Sequence, residues 1–411
     1  MKNVLGGFYL LYRFCCCKYF VKFSDLYTTH MRKILIYITI GLLSLLAAIW
    51  LIPSTRYLIK TAIYQEPGIY DRSVFAEAQV AVNKSSLELP TGLGFGKVIP
   101  DTLLQSMAGY ETTAFLVVKD STVICERYSL DGDRDTLSNS FSAAKSIVAI
   151  LVGAAIVDGK IKSVDDPISN YIAEFKNSEV GAVTVKELLT MSSGIRWDEG
   201  YSSLFSVVTK AYYGSNLDEQ MLALKVKEKP GVKFEYQSCN TQLLAMVVER
   251  ATGMDLASYT SVKLWRKIGA VQNAHWSLDA DGGAAKAYCC FYATARDFSR
   301  IGLLILNQGK TVAGQPVVDS TYFHQMISPA SNLVDAGGKA VDFYGYQWWL
   351  VRYRNKDVYY ARGILGQYIF VIPSDNMVVV RLGHQRSKVK VGQHPNDIFV
   401  YLDAAFALLK N

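Results

Sequence analysis

Metal-ligand spacing is missing from this chain. Its five histidines, His30, His275, His324, His384 and His394, contain no H-x-H and no H-E-x-x-H. That excludes the usual zinc-hydrolase arrangements, and each histidine reads as a surface or satisfied core residue. The seven cysteines offer no C-x-x-C: Cys15, Cys16 and Cys17 crowd the N-terminus, and Cys125, Cys239, Cys289 and Cys290 follow. Buried free thiols are expected in preference to a disulfide framework. There is no G-x-S-x-G elbow, so a conventional α/β-hydrolase is not expected, and no glycine-rich phosphate cradle of Walker or Rossmann type. Charge is sparse at 19 %, against 50 % hydrophobic residues, which excludes disorder, collagen-like repeats and acidic tails.

The formal charge of +7 is unevenly placed. Within residues 1–33 stand Lys2, Arg13, Lys18, Lys22, Arg32 and Lys33 against one acid, Asp25. The rest is nearly neutral and carries no basic stripe interleaved with aromatics, so no nucleic-acid partner is expected. From Ile34 to Ile52 runs ILIYITIGLLSLLAAIWLI, without charge. At about 1.5 Å per residue it spans about 28 Å, close to a hydrocarbon core. Arg32 and Lys33 precede it, which by the positive-inside rule predicts a cytoplasmic N-terminus and an exported body, periplasmic or extracellular. A cleavable signal is the competing reading, but A-x-A spacing is lacking and a retained single-pass anchor is favoured. Met31 is an alternative start, which would make residues 1–30 an over-extended reading frame.

The expected organisation is a basic N-terminus (1–33), an anchor or signal (34–52), a polar connector (53–98) and one large folded domain (99–411). TAFLVVKD and STVICERY read as a hairpin turned at Asp120 and Ser121, and DVYYAR, QYIFVIP and MVVVRL as three further strands. AAKSIVAILVGAAIVDG is apolar nearly all round and predicts a buried central helix. VKELLTM, TQLLAMVVERATG and ARDFSRIGLLILNQG read as helices, as does Asp397 to Lys410. Strands at both ends of the chain thus predict an α+β fold: an antiparallel sheet flanked by helices, with a helical insertion at about 165–285.

At the head of the central helix stands Ser142-Ala143-Ala144-Lys145. Residues i and i+3 share a helix face, so the amine can reach the hydroxyl. A serine in a first turn also keeps its N–H free for a developing oxyanion. S-x-x-K alone is weak: Ser387-Lys388-Val389-Lys390 repeats it in a charged stretch that reads as solvated surface. The first copy stands out because a lysine inside an apolar helix is costly to bury without a partner, and burial presses it toward the neutral form a base requires. Tyr236, in a turn leading into an amphipathic helix, can supply a second proton-carrying hydroxyl; on residues alone it reads equally as a packed aromatic.

These blocks resemble the serine β-lactamase and penicillin-binding-protein superfamily, in particular the β-lactamase-related hydrolases of the nylon-oligomer (6-aminohexanoate-dimer) branch. The resemblance runs from about residue 100 to the C-terminus. It rests on SFSAAKSIVAILVGAAIVDGKI, VTVKELLTMSSGIRWDEGY, PGVKFEYQSCNTQLL, ATARDFSRIGLLILNQG and ARGILGQYIFVIP. It implies a β-lactamase/transpeptidase-like fold, with Ser142 as acylated nucleophile, Lys145 as its proton acceptor and Tyr236 as relay. Tyr236-Gln237-Ser238 matches a Y-x-S variant, which makes Ser238 a substrate contact. The third element corresponds to Ala361-Arg362-Gly363, lacking the family's Lys or His, with Arg362 a candidate substitute. It implies close substrate approach at Gly363 and an oxyanion donor in the Ile364 N–H. Tyr201 resembles a tyrosine that closes on bound amide; its competing reading is loop packing.

The expectation is therefore a membrane-anchored serine hydrolase acting on a small ester or amide, with no cofactor or metal. A true β-lactamase or D-alanyl carboxypeptidase is the alternative within that chemistry. A non-catalytic receptor on the same fold is the alternative outside it.

Overall fold

The computed structural model describes residues 30–52, 55–201 and 203–410, and the chain divides into two compact units, residues 1–63 and 64–411. In the first unit, helix α1 (His30–Leu51) is long and apolar enough to cross a membrane. It starts four residues before the uncharged run and takes Arg32 and Lys33 into its first turns. Cys15, Cys16 and Cys17 lie outside the described residues.

The second unit is built on a six-stranded antiparallel sheet of β1 (Thr112–Lys119), β2 (Thr122–Tyr128), β3 (Trp349–Tyr353), β4 (Lys356–Arg362), β5 (Tyr368–Ile372) and β6 (Met377–Gly383), in the order β2-β1-β6-β5-β4-β3. Asp120 and Ser121 hold φ of 49° and 60°, the double left-handed pair of a tight hairpin turn. The chain ends meet in the middle, where Val379 of β6 stands opposite Val117 of β1 and Phe370 of β5. Edge strand β3, in QWWLVRY, lies beyond the five strands expected from the sequence.

Helices α2 (Asp101–Gly109), α3 (Ala144–Val157), α4 (Ser238–Thr252), α5 (Ala295–Leu306) and α6 (Asp397–Ala407) complete the frame. Tyr401, Leu402 and Phe406 of α6 pack on Phe115, Val117, Phe370 and Val379, one face of the sheet. On the other face α5 comes so close that a Cβ at Gly302 would lie 2.4 Å from Val378 Cγ1. Cover on both faces explains why every residue of β6 is buried, in the manner of a doubly covered sheet.

Part of the expected connector does more than connect. Glu77–Val80 pairs antiparallel with Ala274–Ser277 in a separate four-stranded sheet that also contains Phe291–Ala293 and Ser138–Asn139. That sheet ends immediately before Ser142. A second correction concerns cysteine: Cys289 and Cys290 form a disulfide between neighbours, while Cys125 and Cys239 are buried free thiols as expected.

Candidate active site

A short irregular turn delivers Ser142. Phe141 adopts φ 43°, a conformation bulky residues avoid, and its N–H is held 2.9 Å from Asn139 Oδ1. Asn139 in turn donates to Tyr292 Oη at 3.1 Å, and the Ser140 N–H donates to the Phe291 carbonyl at 2.8 Å. The small sheet thereby braces both residues ahead of the turn. Phe141–Ala143 is a single 3-10 turn running directly into α3, so the Ser142 N–H has no intrahelical acceptor.

Lys145 lies one turn on and is 1 % exposed. Its Nζ donates to Ser142 Oγ at 3.2 Å, Ser238 Oγ at 3.1 Å and the Tyr288 carbonyl at 2.8 Å. Three acceptors match the three N–H bonds of an ammonium. The Tyr236 ring stands 5.2 Å from Nζ and the Tyr288 ring 5.6 Å. Tyr236 is fixed by its own neighbours, tilted on Trp349 at 5.6 Å and edge-on to Tyr344 at 6.2 Å. Its packed-aromatic character and its place beside the lysine are therefore both real.

Ser238 opens α4, and it is bonded to a residue that carries no motif in the sequence. Glu199 accepts from the Ser238 N–H at 2.7 Å, from Ser238 Oγ at 2.6 Å, from Trp197 Nε1 at 2.8 Å and from the Tyr201 hydroxyl. Four donors converging on two oxygens suit an ionised carboxylate, the one side chain here that only accepts. Tyr201 is 54 % exposed, and its hydroxyl donates to Glu199. Burial and the Glu199 charge push that phenol well above its ordinary pKa.

The end of β4 reaches the same place. A Cβ on Gly363 would stand 2.2 Å from the Ser140 carbonyl oxygen and 3.2 Å from Phe141 Cβ. Only glycine lets the third element lie against the nucleophile turn. Ile364 follows in a turn where Leu365 and Gly366 take φ of 59° and 86°. Buried Arg381 secures it by donating to the Leu365 carbonyl at 2.8 Å and the Gly366 carbonyl at 2.7 Å. The Arg362 guanidinium carbon lies over Trp349, 3.2 Å from the ring centre, and Arg362 donates to the Gln393 carbonyl at 2.9 Å.

The structure thus brings Ser142, Lys145, Ser238 and Tyr236 into one cluster, ties Tyr201 to it through Glu199, and sets Gly363 against the turn that carries Ser142. The second S-x-x-K stays apart, with Lys390 exposed. Glu199 and Tyr288 were missed. Glu199 was visible as an acid two residues before Tyr201, but nothing local distinguishes it from Asp198. Tyr288 contributes a backbone carbonyl, which has no sequence signature. Among the described residues no group of three or more His, Cys, Asp or Glu side chains is placed to hold a metal ion.

Comparison with known proteins adds an independent finding. The family model described as Beta-lactamase matches residues 101–398. A curated 6-aminohexanoate-dimer hydrolase from Paenarthrobacter ureafaciens is 29 % identical over 306 residues, covering 69 % of this chain and 75 % of that protein. A Bacillus anthracis structure provisionally named a 6-aminohexanoate-dimer hydrolase superposes with TM-score 0.70 at 23 % identity, covering 83 % of this chain and 94 % of that one. A family VIII carboxylesterase superposes with TM-score 0.59 at 15 % identity, covering 78 % and 98 %. At these identities the two structures speak for the fold alone.

Proposed function

Because this chain belongs to the Beta-lactamase family, we propose that it is a serine hydrolase that opens a small ester or amide through an acyl-enzyme on Ser142. The observation that carries this reading is Lys145 Nζ, buried, 3.2 Å from Ser142 Oγ at the head of an apolar helix. In the proposed cycle Ser142 Oγ gives its proton to Lys145 and bonds to the substrate carbonyl carbon. The N–H groups of Ser142 and Ile364 hold the oxyanion. Collapse breaks the bond to the leaving group, which takes a proton passed from Lys145 through Tyr236. Water then repeats the sequence on the acyl-enzyme. Gly363 gives the substrate backbone-close access, Ser238 holds Lys145, and Tyr201 covers the bound amide.

The substrate preference for small linear esters and amides draws support from two points. The third element lacks a lysine or histidine, and the Arg362 guanidinium lies over Trp349. The relative from Paenarthrobacter is named for a linear amide dimer. The proposed location is the cytoplasmic membrane, with α1 as a retained anchor and the catalytic unit on the exported side. The test is a panel of acyl esters, linear amides and a chromogenic cephalosporin offered to the full chain in detergent, with Ser142→Ala as control. Ester or amide turnover abolished in the variant is expected. Cephalosporin turnover much faster than any ester would replace this reading with a β-lactamase. Failure of Ser142 to take up a fluorophosphonate label would replace it with a receptor.

A further inference from the structure

Lys145 donates three hydrogen bonds, so it must shed a proton before it can take one from Ser142. Two of its acceptors lead nowhere: the Tyr288 carbonyl has no proton to pass on, and Ser142 is the group to be deprotonated. The third is Ser238 Oγ, whose own O–H points at Glu199 Oε1 at 2.6 Å. The line Nζ, Ser238 Oγ, Glu199 Oε1 has links of 3.1 and 2.6 Å, and it ends on a base.

We propose that Glu199 takes up, through Ser238, the proton that Lys145 loses when it becomes the base for Ser142. The proposal rests on the hydrolase reading above and names how its base is generated. An N–H bond of Lys145 breaks as an O–H bond forms on Ser238, while the former Ser238 proton bonds to Glu199 Oε1. The ammonium and carboxylate become a neutral amine and a carboxylic acid, and net charge is unchanged. Lys145 and Ser238 are each 1 % exposed, and at such buried positions separated opposite charges are poorly solvated. Glu199 touches neither Ser142 nor the acyl group; it acts through Ser238 as a positioning residue. The other groups facing the pair are Tyr201, Tyr236, Tyr288 and Cys239. Burial raises Tyr201, Tyr288 and Cys239 well above their ordinary values, so those three keep their protons across the neutral range.

The same carboxylate also holds the Tyr201 hydroxyl and the Trp197 indole N–H. Tyr201 and the relay therefore share one carboxylate.

The test compares wild type, Glu199→Gln, Glu199→Asp and Ser238→Ala as full chains in detergent, on a chromogenic short-chain ester between pH 5 and 9. For Glu199→Gln, kcat falls by about 100-fold with KM within about threefold. The acid limb of kcat/KM moves up by about one pH unit or more, since Lys145 must now lose its proton to solvent. Ser238→Ala gives the same upward movement, and Glu199→Asp recovers much of the rate. An unmoved acid limb in Glu199→Gln and Ser238→Ala overturns the relay, whether or not the rates fall, because it leaves the pair a structural role. If Glu199→Gln does not fold, Ser238→Ala carries the same readout, since it keeps the backbone N–H bonded to Glu199. Absence of fluorophosphonate labelling in wild type overturns the hydrolase reading and the relay together. Labelled wild type with an unmoved limb overturns the relay alone.

Discussion

At the scale of single residues, the site turns on what a side chain can donate. Lys145→Arg keeps the charge but replaces a group that can become neutral by one that cannot, so kcat is expected to drop by about three orders of magnitude with folding intact. Near-wild-type acylation of Ser142 in that variant, followed by mass spectrometry, would remove Lys145 from its role. Tyr201→Phe keeps the exposed ring and loses only the bond to Glu199. A rise in KM of about three- to tenfold with little change in kcat is expected if the phenol covers substrate. Two buried groups elsewhere titrate in opposite senses. Burial, helped by the Arg362 charge, holds His394 down at about 4 from an ordinary 6.5. The unfolded chain therefore binds the proton first, and stability is lost as pH falls from about 6.5 toward 4, by about 3 kcal/mol for this shift. Burial pushes Glu249 up to about 7 from 4.5. Its contribution is full below about 4.5 and is lost as pH rises through about 7. The two nearly offset each other, so His394→Gln should become relatively more stable than wild type on acidification. A wild-type-minus-variant difference in urea midpoint that stays flat between pH 7 and 4.5 would falsify that account.

At the scale of elements, close approach decides the geometry. Gly363 joins β4 to the turn before Ser142 because nothing larger fits against the Ser140 carbonyl. Gly363→Val should push the strand end away from the nucleophile, with a loss of about 1–3 kcal/mol and of most activity. Thermal melting together with ester turnover checks it, and unchanged turnover would separate the third element from the site. Gly302 plays the corresponding role between α5 and β6, against Val378 and Ile369, so Gly302→Val should cost stability of similar size while residual folded enzyme keeps its KM. Arg381, fully buried, fastens the Ile364 turn through two carbonyls and meets Thr112 Oγ1 at 3.2 Å. A cation inside the sheet is tolerated because each of its faces finds an acceptor or the Tyr401 ring, 5.0 Å away.

At the scale of the whole molecule, a hairpin from early in the catalytic unit and strands from its end close one sheet, and the helical middle supplies Glu199, Tyr236, Ser238 and Tyr288 to the turn those strands support. Helix α1 should hold the full chain in the membrane fraction through an alkaline carbonate wash, and Leu42→Arg with Leu43→Arg should release it. Release of the unaltered chain by that wash would argue for cleavage or peripheral attachment.

Much was legible beforehand because it is local. The i, i+3 spacing of Ser142 and Lys145, the uncharged run from Ile34 to Ile52 and the Asp120–Ser121 turn are each encoded within a few residues, whereas the glycine of ARG was reached only through the family resemblance. What the sequence could not yield were pairings between distant segments. The choice of Glu199 over Asp198, the Tyr288 carbonyl under Lys145 and the strand at Glu77–Val80 depend on how remote chain segments pack. Hydrogen-bond partners of that kind leave no periodicity to read, and only the closed tertiary structure, with its buried donors each needing an acceptor, selects them.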